Sequence, residues 1–194
     1  MNIRALTLAA LLPLAGCGSA PPTEAPPLQG ARIGGAFALT DEDGGRVTDR
    51  DFAGRWRIVY FGYTFCPDVC PVDAQNIGAG LKRFEAEDPA RAAKVTPLFV
   101  TVDPARDTPA ALKSFTAAFH PRMVGLTGSE ADVAQAAKAY AVYYGKGETS
   151  PGGGYLMDHQ RVTYLMDPQG RPVALIPSDK DANAVAAELD RWVR

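Results

Sequence analysis

Two cysteines separated by three residues, Cys66 and Cys70, stand in the run Tyr63-Thr64-Phe65-Cys66-Pro67-Asp68-Val69-Cys70-Pro71. A buried strand precedes them and a helix follows, and a helix N-terminus lowers thiol pKa through its dipole and unpaired N–H groups. Thiolates held there serve redox exchange, metal ligation or both. A stapling disulfide is a poor explanation, because a loop this short removes little entropy from the unfolded chain. Thioredoxin-type redox motifs place two residues between their cysteines. Here there are three, one of them Asp68, and the wider pair can still close a disulfide while also presenting two sulfurs to one ion. Two thiolates leave a metal under-coordinated, so a third ligand is required, and the chain has two histidines. His120, in Phe119-His120-Pro121-Arg122, sits just past a helix end and reads as a cap for free carbonyls. His159 follows the glycine-rich stretch 145–154, whose composition predicts a mobile loop, and is the better candidate. Two thiolates with one imidazole suit copper, cuprous ion above all. Zinc fits the same donors with an open position and is the competing ion.

Those side chains need elements to carry them. Ile33 to Leu39 alternates apolar and other residues and turns through Asp43-Gly44-Gly45 into Arg46-Val47-Thr48, a predicted hairpin. Arg57–Phe61 and Val95–Val102 read as buried strands. Ala74, Ile77, Leu81 and Phe84 recur at helical spacing after the second cysteine. Pro109 suits a helix first turn, with Leu112, Phe115 and Phe119 on one face. Val133, Ala137 and Tyr140 mark another helix. Thr163–Met166 and Pro172–Ile176 flank the turn Asp167-Pro168-Gln169-Gly170, and Val185, Leu189 and Trp192 line a closing helix. The order is that of an α/β thioredoxin-like fold: a central mixed sheet flanked by helices, with an extra N-terminal β-hairpin. In that fold the position of His159 lies opposite the cysteine loop, where thioredoxins place a cis-proline. A domain of about 165 residues buries roughly 70% of its unfolded surface and needs no disulfide to fold.

The N-terminus is an address. Arg4 precedes a ten-residue run, Ala5 to Leu14, that is too short to span a bilayer and reads as a signal-peptide core. The run ends Leu14-Ala15-Gly16-Cys17, which resembles the lipobox of bacterial lipoproteins and implies lipidation of Cys17. Residues 17–29 carry Pro21, Pro22, Pro26 and Pro27 and read as an extended tether. The expected organisation is therefore a lipoprotein signal peptide at 1–16, a lipidated tether at 17–29 and a thioredoxin-like domain at 30–194. The compartment is extracytoplasmic, where thiols face oxidation. Lys plus Arg total 20 against 22 for Asp plus Glu, and no basic run stands out, so nucleic-acid binding is excluded. With 46% hydrophobic and 22% charged residues the chain is too polar for a polytopic membrane protein.

Three ordered motifs then carry a family resemblance: Tyr60-Phe61-Gly62-Tyr63-Thr64-Phe65-Cys66-Pro67-Asp68-Val69-Cys70-Pro71, Val102-Asp103-Pro104-Ala105-Arg106-Asp107-Thr108-Pro109, and Asp158-His159 ahead of Tyr164-Leu165-Met166-Asp167-Pro168 and Gly170. Across residues 30–194 the chain resembles the Sco/SenC family. The resemblance implies a membrane-tethered protein of the bacterial periplasm that binds copper, as Cu(I), Cu(II) or both, through Cys66, Cys70 and His159. It also implies a role in assembling the binuclear copper site of cytochrome c oxidase. The implied partners are the copper-site subunit of the oxidase and other periplasmic copper chaperones. The alternatives are a thiol-disulfide oxidoreductase that reduces the oxidase's copper-site cysteines, using Cys66 and Cys70 as a redox couple, and a peroxidase or copper/redox sensor. Many relatives use a transmembrane anchor, whereas this chain carries the lipobox-like Cys17. Asp68 is expected to complement the helix dipole, Asp103 and Asp107 to shape the turn after the second strand, and Met157 to pack, with ligation as its alternative role.

Overall fold

The computed structural model describes residues 24–194 apart from Pro151 and Gly153. The predicted signal peptide, Cys17 and most of the tether lie outside the described residues. Among the described residues no helix is long and apolar enough to cross a membrane. Leu28 donates its N–H to the carbonyl of Val173 at 3.0 Å, and Glu24 pairs with Arg191, so the chain already contacts the domain at these positions.

Among the described residues, seven strands form one sheet. At its centre lie β3 (Trp56–Gly62) and β4 (Val95–Thr101), parallel to each other, with every residue of both buried. Such near-continuous apolar runs are what a strand covered on both faces requires. β5 (Val124–Thr127) continues the parallel set beside β4, and β8 (Thr163–Met166) and β9 (Pro172–Leu175) add antiparallel strands beyond β3. The expected N-terminal hairpin is β1 (Ala38–Asp41) with β2 (Arg46–Thr48), and it extends the sheet past β5. Its first strand begins at Ala38 rather than Ile33: Gly34 and Gly35 adopt positive φ, and Gly34 N–H bonds the carbonyl of Ala139 instead of a sheet neighbour. The arrangement is thioredoxin-like, as the element order implies.

Helices α1 (Val69–Glu87), α2 (Pro89–Ala92), α3 (Pro109–Phe119), α4 (Glu130–Ala139) and α5 (Ala182–Trp192) complete the domain. Thr108 caps α3 by accepting the Ala111 N–H, and Pro109 takes its first position, where a missing donor costs nothing. Three short strands escaped the sequence pattern: β5, and the pair β6 (Tyr144–Lys146) and β7 (Met157–His159), which run antiparallel as a separate ribbon. That ribbon is the base of the glycine-rich connection, so His159 ends a strand of its own, opposite Tyr144.

α1 is the longest helix, and it lies against both α5 and the end of α3. The approach is close enough to demand glycine twice. A Cβ at Gly78 would stand 2.6 Å from the Phe119 carbonyl oxygen, and one at Gly80 would stand 2.5 Å from the Val185 side chain. Gly80→Ala therefore trades a helix-propensity gain of up to about 1 kcal/mol against an overpacking cost of about 1–3 kcal/mol. The expected outcome is a net loss of about 1–2 kcal/mol in urea unfolding; an unchanged or raised midpoint would show that α5 moves aside freely.

Candidate metal centre

The strand β3 ends at Gly62, and the chain turns through Tyr63–Asp68 before α1 begins. Cys70 lies in the first turn of α1 with no solvent exposure, whereas Cys66 lies one turn earlier and is half-buried. Both are free thiols. Asp68 occupies the cap position of α1 but makes no capping hydrogen bond. The Cys66 sulfur takes that role instead, accepting the Cys70 N–H at 3.4 Å. The dipole complement expected of Asp68 thus comes from a thiol.

This arrangement separates the two sulfurs electrostatically. Burial pushes the Cys66 thiol up, but hydrogen bonds from the backbone of Cys70, Asp68 and Val69 outweigh it and hold the group below its ordinary range. Cys70 goes the other way. Its burial pushes the thiol up to about 12, more than hydrogen bonds from the Tyr63 backbone and the Tyr60 hydroxyl recover, and the neighbouring Cys66 sulfur adds to the rise. The expectation that a helix N-terminus acidifies both cysteines therefore holds only for Cys66.

His159 comes to Cys70 across the fold, with Nε2 3.2 Å from Sγ. Burial holds the imidazole below its ordinary pKa, which favours the neutral ring that can ligate a metal. Its Nδ1 lies 3.3 Å from the Gln160 carbonyl, and an N–H donated there leaves the Nε2 lone pair facing the sulfur. Tyr60 and Tyr63 present their rings to the imidazole at 89° each, with centroids 6.3 and 5.9 Å away. Thus a thiol and an imidazole already meet, and a second thiol caps the same helix turn. Among the described residues, no three His, Cys, Asp or Glu side chains are already gathered around an ion position. Cys66 spends its sulfur on the helix terminus, and the donor chemistry fits copper once that sulfur turns from the N–H groups to the metal.

The other candidates fall elsewhere. His120 is buried at the end of α3, where its Nδ1 accepts the Arg122 N–H at 3.1 Å and its Nε2 lies 3.3 Å from Glu85. Glu85 is fifteen residues beyond Cys70 on α1, about 22 Å along the axis. His120 is thus remote from the thiols, and it accepts a backbone N–H instead of capping carbonyls. Asp107 is fully buried and anchors the cysteine loop: its carboxylate accepts from the Thr64 N–H at 3.0 Å, the Thr64 hydroxyl at 2.6 Å and the Thr101 hydroxyl at 2.6 Å. Asp103 pairs with Arg106 and accepts the Tyr155 hydroxyl at 2.9 Å. Arg106 lies 3.7 Å over the Tyr155 ring and 4.9 Å over the exposed Phe65 ring, tying the β6–β7 connection to the cysteine loop. Met157 packs against the core from β7.

Sequence reasoning passed over three groups beneath the pair. Asp73 has no exposure and takes both a forked bond from Arg161, at 2.8 and 2.6 Å, and the Tyr60 hydroxyl at 3.0 Å. The available signal was spacing: Asp73 lies three residues after Cys70 and so on the same helix face.

The SCO1/SenC family profile matches residues 25–194. The chain belongs to the SCO1/SenC family. Protein SenC of Rhodobacter capsulatus is 47% identical over 142 residues, covering 72% of this chain and 61% of SenC. The chain spans about half the length of several curated mitochondrial relatives it matches. The structure of Bradyrhizobium japonicum ScoI with copper bound superposes with a TM-score of 0.74 at 40% identity, over 83% of this chain and 99% of that one. A more distant structure, BsSco, is 23% identical with a TM-score of 0.60, over 80% and 90% of the two chains, and speaks to the fold alone. It is described as having a disulfide switch and as a member of the Sco family of cytochrome c oxidase assembly proteins.

The asymmetry of the thiols is directly measurable. With the reduced SCO1/SenC-family chain, iodoacetamide at neutral pH should label Cys66 first, its rate rising with pH through a midpoint below the ordinary thiol value of about 8.5. Cys70 should stay unlabelled in the folded protein. Mass spectrometry showing equal labelling would contradict the assignment of the cap and of the buried sulfur.

Proposed function

We propose that the chain is an extracytoplasmic copper chaperone that holds copper through Cys66, Cys70 and His159 and supports assembly of the binuclear copper site of cytochrome c oxidase. The observation that carries this reading is the 3.2 Å contact between Cys70 Sγ and His159 Nε2, made by residues 89 apart in sequence. A disulfide exchanger needs two sulfurs; an imidazole brought against the buried one is what a soft-metal site needs. Copper bound to ScoI of the same family supports the choice of ion, and membership of the SCO1/SenC family, with the role its motifs imply, supports the client. Copper is cargo in this reading. The neutral imidazole and the two sulfurs supply its donors, and release to the oxidase subunit returns Cys66 to its place at the helix terminus. The domain at 30–194 works from a tether in the periplasm, with lipid on Cys17 as the membrane anchor.

One feature favours a second activity on the same residues. A half-buried Cys66 of lowered pKa beside a buried Cys70 of raised pKa suits an attacking and a resolving thiol. The Cys66 thiolate would attack a client disulfide and release one client thiolate. Cys70, losing its proton, would then displace the second, leaving a Cys66–Cys70 disulfide and a two-electron-reduced client.

Anaerobic copper titration of the reduced chain separates these readings. The chain should take one equivalent of copper, and Cys66→Ala, Cys70→Ala and His159→Ala should each weaken binding at least tenfold, about 1.4 kcal/mol. His159→Ala should leave the Cys66–Cys70 reduction potential within about 30 mV, because exchange chemistry is set by the thiols. Copper affinity unchanged by His159→Ala would remove the imidazole from the ligand set, and no tight copper at all would make the chain a redox protein first.

A further inference from the structure

We propose that Arg161 and Asp73 are a positioning pair that sets His159 against Cys70, with Arg161 acting on copper binding only through the imidazole. The inference rests on the copper reading of the site, and concerns residues that touch neither sulfur nor metal.

His159 is held by weak contacts of its own. Its two nitrogens lie 3.3 and 3.2 Å from a carbonyl and a sulfur, and its ring stands perpendicular to two tyrosine rings with centroids 6.3 and 5.9 Å away. Two residues on, the hold is strong. Arg161 grips Asp73 through two parallel charge-assisted bonds of 2.8 and 2.6 Å, the arrangement in which a guanidinium gives both affinity and orientation. Asp73 sits three residues after Cys70, and Arg161 two residues after His159, so Cys70–His159 and Asp73–Arg161 form two adjacent links between α1 and the chain leaving β7. Tyr60 joins them: its ring stands perpendicular to that of His159 and its hydroxyl donates to Asp73 at 3.0 Å.

The burial pattern gives the pair its purpose. A carboxylate with no exposure is costly unless its oxygens are satisfied, and this one is satisfied by groups chosen from both sides of the site. Arg161 itself keeps 37% of its side chain exposed, so it lies at the margin of the core while the carboxylate it grips is fully buried. What its fork contributes is the position of the backbone that carries His159.

Three variants test this: Arg161→Met, Arg161→Lys, and Asp73→Asn combined with Arg161→Met, which removes both charges and so leaves no buried charge unpaired. The first readout is the copper-free chain. The His159 ring protons should carry ring-current shifts from Tyr60 and Tyr63, which should relax toward free-imidazole values in Arg161→Met and in the double variant. Arg161→Lys, which keeps the charge but not the fork, should relax them in part. The second readout is Cu(I) affinity by chelator competition, expected to fall about tenfold to a hundredfold, the range for groups that orient ligands from behind. In a His159→Ala background, Arg161→Met should weaken copper no further. An equal loss in that background, or His159 shifts unmoved in all three folded variants, would overturn the proposal. A wild-type chain that binds no copper would sink the copper reading, while the ring-current shifts of the metal-free protein would still decide whether the pair positions His159.

Discussion

Cys70 begins α1 with its sulfur out of water and pressed toward the end of β3. A Cβ at Gly62 would stand 3.2 Å from that sulfur and 2.7 Å from the Tyr60 ring, so the helix docks this closely only because the strand ends in glycine. Burying a thiol there has consequences for everything around it. The sulfur cannot rely on solvent for a partner, and the fold supplies an imidazole in its place. The imidazole must come from another part of the chain, which is why the β6–β7 ribbon and the tyrosines of β3 and its following turn gather at this point.

The same docking makes the two sulfurs unequal. Cys66, placed one turn earlier, meets the unpaired N–H groups that every helix leaves at its start, and it replaces a conventional cap. Stabilising its thiolate and capping α1 are then one interaction. A metal drawing Cys66 away would leave that terminus without its cap, so loading and the local stability of the first turn are linked. Asp107 limits how far the disturbance travels, since it pins Thr64 to β4 through buried hydroxyl and backbone bonds.

The loop-holding groups fall into two sets on opposite sides of the site. Arg106, with Asp103 and Tyr155, ties the far part of the ribbon connection to the cysteine loop through ring stacking and an ion pair. Arg161, with Asp73 and Tyr60, holds the near end against α1. His159 lies between these restraints. Phe65, next to Cys66 in the chain, and Leu156, next to Tyr155, are both exposed apolar side chains.

Local pattern determined a good deal of this protein. The buried runs of β3 and β4, the apolar spacing of α1 and α5, Thr108-Pro109 opening α3 and the turn at Asp167–Gly170 each encode their element in neighbouring residues, and together they give the thioredoxin-like order. The cysteine pair was legible because both sulfurs fall within one helical turn. Other features were invisible for a physical reason: they depend on groups distant in sequence. β2, β8 and β9 are as short but flank the turn signals Asp43–Gly45 and Asp167–Gly170; β5, β6 and β7 flank no such tight turn, and they exist because neighbouring strands complete their hydrogen bonds. Asp73 and Arg161 meet across 88 residues of sequence, and no local pattern carries a pairing of that range. The raised pKa of Cys70 follows from desolvation, which no motif carries. Sequence spacing decided which atoms were available; tertiary packing decided that a buried sulfur from α1 and an imidazole 89 residues away would come into contact.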